Sequence, residues 1–308
     1  MSDFMRRPVL VVGATGRQGG SVLRYLLERQ IPVRALVRSS ESGRARGLGN
    51  QGVEIAIGDM DDPLSLKHAM TGVRGVYSMQ DYWSVGARRE VQQGKNMADA
   101  AAEAGVEHFV YSSVGGADRD SGIDHWETKW AIEQHIRARR LSATILRPVS
   151  FMNNYYIPAV EKSLLRGRLL DPVRGDLPYQ TIAPDDIGKF AALAFARPQQ
   201  FAGRALEIAG SELTNRQAAG VFARVLGRPV KFRRIPMPVV RIAMSKEFYQ
   251  MFRWFNAGGY RADIAGLRRD YPEIRLTSLE DWLRSEGWEN KRTITVKRDK
   301  IGRPLRAN

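Results

Sequence analysis

The stretch "RPVLVVGATGRQGG", residues 7–20, decides the fold. Pro8–Val12 reads as a buried strand, and Gly13, Gly16 and Gly19 follow it at three-residue spacing. Glycines at those places let the chain turn tightly, let its backbone approach a pyrophosphate, and let the next helix lie close on the sheet. That helix is announced by Val22, Leu23, Leu26 and Leu27, which share one face at 3.6-residue periodicity. Its N-terminus would offer unpaired N–H groups and a positive dipole end to phosphates. A bare G-x-x-G-x-x-G is weak evidence. One that leaves a first strand and opens a helix has the context a dinucleotide site requires. The plain alternative is a tight turn without a ligand.

Working outward, "IPVRALVRSS" (31–40) is a second strand and "GVEIAIGDMDD" (52–62) a third, with a helix from "DPLSLKHAMTG" after it. "VRGVYSMQDYW" (73–83) is a fourth strand, followed by a helix within Ala87–Ala104. "VEHFVYSS" (106–113) is a fifth, the HWETK segment a helix, and "LSATILRPVSF" (141–151) a sixth. Strands alternating with helices argue for α/β architecture, a Rossmann-type doubly wound parallel sheet. After about residue 155 the alternation breaks into strand-like (Ala205–Ile208, Val230–Ile235) and helical (Arg216–Leu226, Leu279–Glu286) pieces. These point to a smaller mixed α/β second lobe. The expected division is 1–155, which can take a later segment back into its sheet, then 156–290, then a basic tail at 291–308.

Composition narrows the classes. The 308 residues are 43% hydrophobic and 26% charged, ordinary values for a chain with a core. Without Cys, disulfides, thiolate metal sites and thiol redox chemistry are excluded. No apolar run has the length of a membrane span, and the strand at Pro8 leaves no room for a secretory signal. A cytoplasmic protein away from the membrane is expected. The net charge of +15 draws anions. Seven of the basic residues lie in 291–308 beside one acidic residue. Nothing resembles a helix-turn-helix or zinc spacing, so nucleic acid ranks low as a partner. His68, His108 and His135 form no metal-ligand pattern, and no metal is expected. Trp254 and Phe255 read as lobe core or an interface.

Three further positions carry chemistry. The second strand ends at Arg38, with Ser39 and Ser40 next. An acidic residue there would select a ribose 2′-hydroxyl, whereas Arg pairs with a 2′-phosphate and favours NADP. Arg17 can help from the glycine turn. After the third strand, Asp59 is placed to hydrogen-bond an adenine and Met60 to touch it, although Asp-Asp-Pro is also a good helix start. Gln80, Asp81 and Tyr82 end the fourth strand in the crevice where such sheets bind ligands.

With these residues in view, the chain resembles the NmrA-like family, an atypical branch of the short-chain dehydrogenase/reductase superfamily, and in particular its NADP-sensing members. The likeness runs through "QDYW", "EVQQGKNMADAA", "VYSS", the HWETK helix, "LRPVSFMNN", "DDIGKFAALAFARPQQFAGRALEIAGSELT" and "TSLEDWL", over roughly residues 8–288. It implies cofactor contacts from Ala14, Thr15, Gly16, Arg17, Gln18 and Gly19, from Arg38 and the serines after it, and from Asp59, Met60 and Gln80–Tyr82. It implies the same of Lys129 and of Ser150, Phe151, Met152 and Asn153. A Lys that some relatives carry after the fourth strand is Gln92 here, with Lys95 nearly one turn on.

In "DHWETKWAIEQHIR" (124–137), His125 stands four residues before Lys129, where related dehydrogenases carry a Tyr. The two share a helical face. A His beside a Lys cation would be mostly neutral at pH 7, able to accept a proton and poor at donating one. Carbonyl reduction needs a donor; hydride delivery to a quinone or a cationic dye needs none. Lys129 can hydrogen-bond the nicotinamide ribose in either case. His125 also reads as a helix-start residue lining the cofactor, and Ser112 and Ser113 either as the superfamily's Ser position or as turn formers. Two functions follow. The resemblance favours an NADP(H)-binding, redox-responsive regulator whose occupancy controls a protein partner. The alternative is an NADPH-dependent oxidoreductase taking a small conjugated substrate near Asn153–Tyr156. Assembly as a homodimer is left open.

Overall fold

A computed structural model describes residues 7–291, so the basic tail, apart from Lys291, lies outside the described residues. The first half alternates throughout: β1 (Val9–Val12), α1 (Arg17–Glu28), β2 (Val33–Val37), α2 (Gly43–Asn50), β3 (Glu54–Ile57), α3 (Pro63–Met70) and β4 (Gly75–Ser78). It continues through α4 (Tyr82–Val85), α5 (Ala87–Glu103), β5 (His108–Ser112), α6 (Asp124–Ala138) and β6 (Ala143–Pro148). Then come β7 (Ser150–Phe151), α7 (Pro158–Leu164), β8 (Arg168–Asp171), β9 (Pro178–Ile182), α8 (Pro184–Ala196), α9 (Pro198–Phe201) and β10 (Ala205–Ile208). The last elements are β11 (Ser211–Thr214), α10 (Asn215–Leu226), β12 (Lys231–Arg234), α11 (Met237–Ala243), α12 (Lys246–Asn256), α13 (Ile264–Asp270) and α14 (Leu279–Ser285).

Seven strands form one sheet in the order β10-β6-β5-β4-β1-β2-β3, every neighbouring pair parallel. The six strands read from the sequence are its first six, in doubly wound order. β1, β4, β5 and β6 are buried along their whole length, and β1 accordingly reads as a continuous apolar run. One core joins Leu10, Val12, Val76 and Phe109 of the strands to Leu66 and Met70 of α3, Met97 and Ala101 of α5, and Ile132 and Ile136 of α6. At Gly94 the two helices come so close that a Cβ would meet Ile132 at 2.5 Å.

The described residues divide into two compact units, one through Val149 plus Ile182–Ala209 and Arg261–Leu276, the other Ser150–Thr181, Gly210–Tyr260 and 277–291. The first break falls after Val149, not at the expected 155/156, and two later elements lie in the first unit. β10 adds to β6 at the sheet edge, with Leu206 beside Leu146. α8 packs on α1 so tightly that a Cβ on Gly188 would meet the Ser21 carbonyl carbon at 2.8 Å, and Arg24 pairs with Asp185. The second unit holds the antiparallel β11/β9 pair with β7, and the parallel pair β12/β8. Its interior is aromatic: Phe222 meets Tyr155 (4.8 Å between ring centres) and Trp288 (5.4 Å). Phe255 is buried against Tyr179 and Tyr260, in keeping with a core role, and Trp254 packs on Tyr260. No helix among the described residues is long and apolar enough to cross a membrane.

Candidate functional site

The first unit contains a cavity of about 630 Å³ at the carboxyl ends of β1–β4, inside the usual range for small-molecule and cofactor sites. Gly13, Thr15, Gly16, Arg17, Gln18 and Gly19 line it from the β1–α1 turn, and Arg38 and Ser39 from the end of β2. Asp59 and Met60 line it after β3 and Asp81 after β4. Eleven of the residues singled out in the sequence are thus brought to one wall-to-wall space. Ala14, Gln80, Tyr82, His125 and Lys129 are not part of its lining.

The glycine turn has the geometry the spacing implies. Gly13 sits at φ +68°, where a side chain would be strained. A Cβ on Gly19 would lie 2.3 Å from the Gly13 carbonyl oxygen and 2.6 Å from that of Val12, so only glycine lets α1 start against β1. Gly16 caps α1 without a side-chain hydrogen bond, and the first turn carries no acidic residue. The helix end therefore faces the cavity with backbone N–H groups and the positive dipole end, next to Arg17 and Arg38, both exposed. This donor set fits a dinucleotide bearing phosphates. Gln18 does more than line the space: its amide donates to Tyr77 Oη (2.6 Å) and to Ser112, tying α1 to β4 and β5. Burial pushes the Tyr77 phenol up to about 12, so it stays protonated.

Several lining residues were not anticipated: Leu36, Val37, Ser42, Gly58, Met79, Ser84, Val85, Arg89 and Gln93. Arg89 and Gln93 stand four apart on α5, the spacing of one helical face, and that spacing on a predicted helix is the available signal. Gln80 is buried and works behind the wall, its amide donating to Ser78 Oγ (2.9 Å) and Met60 Sδ (3.6 Å). Asp81 caps α4, accepting from Trp83 N (3.2 Å) and from Ser84.

Lys129, expected at the nicotinamide ribose, makes two contacts within the first unit. Its Nζ lies 2.7 Å from Glu90 Oε1 and donates to the Gln80 carbonyl at 2.7 Å. Glu90 is fully buried and also accepts from Thr128. The cation set beside His125 by the sequence is thus neutralised by an acid on α5, and Lys129 braces the end of β4. His125, half-buried near the start of α6, packs among Trp126 (4.5 Å between ring centres), Trp83 (5.0 Å) and Tyr82 (5.5 Å). Ser113 donates to Glu133 (2.6 Å), itself paired to Arg147 (2.7 Å). That bond gives Ser113 a structural role. Ser150, Phe151, Met152 and Asn153 belong to the second unit, where Ser150 Oγ accepts from Tyr179 Oη (2.9 Å) and Asn154 Nδ2 (3.1 Å).

Set beside known proteins, the chain matches the NmrA-like family over residues 5–283 and belongs to it. It is similar to the NAD(P)H azoreductase of Xenophilus azovorans, 30% identical over 77% of this chain and 80% of that one. In structure it is similar to the Citrobacter sp. triphenylmethane reductase complexed with NADP(H), with TM-score 0.76, 22% identity and coverage of 90% and 99%. It is also similar to Nmra, a negative transcriptional regulator, with TM-score 0.71, 20% identity and coverage of 91% of each chain.

Proposed function

We propose that the protein binds NADP(H) in the β1–β4 cavity and uses it as a reductase of flat, electron-poor substrates. The cavity with its acid-free helix end and two flanking arginines supports the dinucleotide. Arg38, where NAD enzymes carry an acid, supports the 2′-phosphate. Bound there, the nicotinamide supplies a hydride.

The observation that carries the reaction class is the fate of the acid–base residues. His125 stands in the Tyr position within a cluster of aromatic rings, Lys129 pairs with Glu90 and a carbonyl, and Ser113 donates to Glu133. This arrangement suits an acceptor that takes a hydride without a proton from the protein. A cationic triarylmethyl carbon is such a centre: hydride adds, the charge is lost, and a neutral C–H product leaves. A quinone is another, its oxygen taking a proton from water. The names of the azoreductase and triphenylmethane reductase relatives support the same class.

The same replacement of the Tyr by His125 favours a second reading, an NADP(H)-dependent regulator that binds a partner unequally in its occupied and empty states. Steady NADPH consumption followed at 340 nm separates the two. The reductase reading expects turnover with a cationic triphenylmethane dye or a quinone and none with a simple ketone. Turnover of the ketone alone, or of no acceptor across a panel of both classes, would overturn it.

A further inference from the structure

On α5 a row of side chains takes no part in the readings above. Arg89, Gln93 and Asn96 stand at i, i+4 and i+7, one face of the helix, and all three end on the loop between β3 and α3. Arg89 donates to Asp61 Oδ2 through Nε (2.7 Å) and Nη2, and Gln93 Nε2 donates to the same oxygen at 3.1 Å. Asn96 Nδ2 donates to the Met60 carbonyl at 2.8 Å. Asp61 N in turn donates to Asp59 Oδ1 at 3.0 Å. The Arg89 guanidinium holds the Asp61 carboxyl below the usual carboxylate range, so the pair stays charged.

The Arg89 side chain is more than half exposed, and an ion pair of that kind adds little to stability. What the row does is fix Asp59 and Met60, which line the cavity together with Arg89 and Gln93. Nε and Nη2 both point at Asp61, so one edge of the guanidinium is taken and its plane is held in place. Open to a ligand are the Nη1 edge and the flat face, and the held plane offers the kind of surface on which nucleobases stack.

We propose that the Arg89–Gln93–Asn96 row builds the purine end of the cavity, Arg89 as a stacking plate held in place by Asp61, and Gln93 and Asn96 as positioning residues for the Asp59–Met60 loop. The inference rests on the proposed NADP(H) site.

The test is calorimetric titration of the full chain and of Arg89→Ala and Arg89→Lys with NADP⁺, NAD⁺, adenosine 2′,5′-bisphosphate and nicotinamide mononucleotide, alongside melting temperatures. Loss of one stacked base predicts about tenfold weaker binding of the three adenine ligands in Arg89→Ala, with the mononucleotide and the melting temperature unchanged. Arg89→Lys, which can keep the Asp61 pair but lacks the plane, should show most of the same loss. Weakening of NADP⁺ and the bisphosphate with NAD⁺ spared would make Arg89 a phosphate ligand and overturn the stacking role, as would full affinity in Arg89→Lys. Unchanged binding of every ligand would reduce the row to a surface brace. A wild-type chain that binds neither dinucleotide would overturn the proposed function and the purine wall with it. One that binds both while Arg89→Ala is silent overturns the wall alone.

Discussion

Replacing Lys129 by Met should damage the protein through Glu90 before it touches any chemistry. Glu90 is fully buried, and its partners are the Lys129 ammonium at 2.7 Å and the Thr128 hydroxyl. Removing the cation leaves a carboxylate without its counter-charge in the interior, which costs about 3–5 kcal/mol. Glu90→Gln is milder. Its amide oxygen can still accept from Lys129, whose side chain keeps the Gln80 carbonyl and is 12% exposed. A cost of about 1–3 kcal/mol is expected. In the double variant both charges are gone, so it should be more stable than Lys129→Met alone, with a coupling of about 1–3 kcal/mol. Urea denaturation of the four proteins, followed by circular dichroism and compared at their midpoints, measures this. A Lys129→Met cost under about 1 kcal/mol, or additive singles, would refute the idea that the pair is a buried brace. The practical consequence concerns enzymology: loss of turnover in a Lys129 variant reports on the β4 end, where Asp81 enters the cavity, as much as on a nicotinamide contact.

Gly19→Ala should abolish dinucleotide binding and cost at least about 1–3 kcal/mol, because its Cβ meets backbone at 2.3 Å that cannot move aside; titration and thermal melting check both. Ser113→Ala should cost about 1 kcal/mol and leave NADPH turnover unchanged, since Glu133 keeps Arg147; a large fall in turnover would restore Ser113 to the chemistry. Burial pushes His108 down to about 4, and its ring bonds Thr144 Oγ1 at 2.9 Å. The unfolded chain, with an ordinary value near 6.5, binds the proton first. The stability His108 contributes is therefore present above about pH 6.5 and lost as pH falls toward 4, by up to about 1.4 kcal/mol per unit. His108→Gln should flatten the difference between pH 5 and pH 7 urea midpoints, and an unchanged pH slope would contradict it.

The sheet is legible because its central strands are buried on both faces. Val9–Val12 reads as an unbroken apolar run, and the glycine turn between β1 and α1 fixes the class. α2 was invisible: three of its eight residues are glycine, and only the Ser42 cap marks it. α8 returns to α1 through Gly188 and Ser21, 167 positions apart, a contact no local pattern carries. The site followed the same division. Residues on the β-strand ends, such as Arg38, Asp59 and Asp81, could be placed because the strand fixes where they point. The pairing of Lys129 could not, because Glu90 lies on another helix and no local pattern joins the two. Arg89 was missed for the same reason.

The central claim is a cavity selective for NADP(H), with Arg38 reading the 2′-phosphate. The most direct measurement is calorimetric titration of the wild-type chain and Arg38→Ala with NADP⁺, NADPH and NAD⁺ in one buffer. A charged hydrogen bond of about 1.5–3 kcal/mol predicts wild-type binding of NADP⁺ and NADPH roughly ten- to a hundred-fold tighter than NAD⁺. The preference should vanish in Arg38→Ala, with NAD⁺ affinity unchanged. Equal affinities, tighter NAD⁺, or a preference that survives the loss of Arg38 would contradict the account.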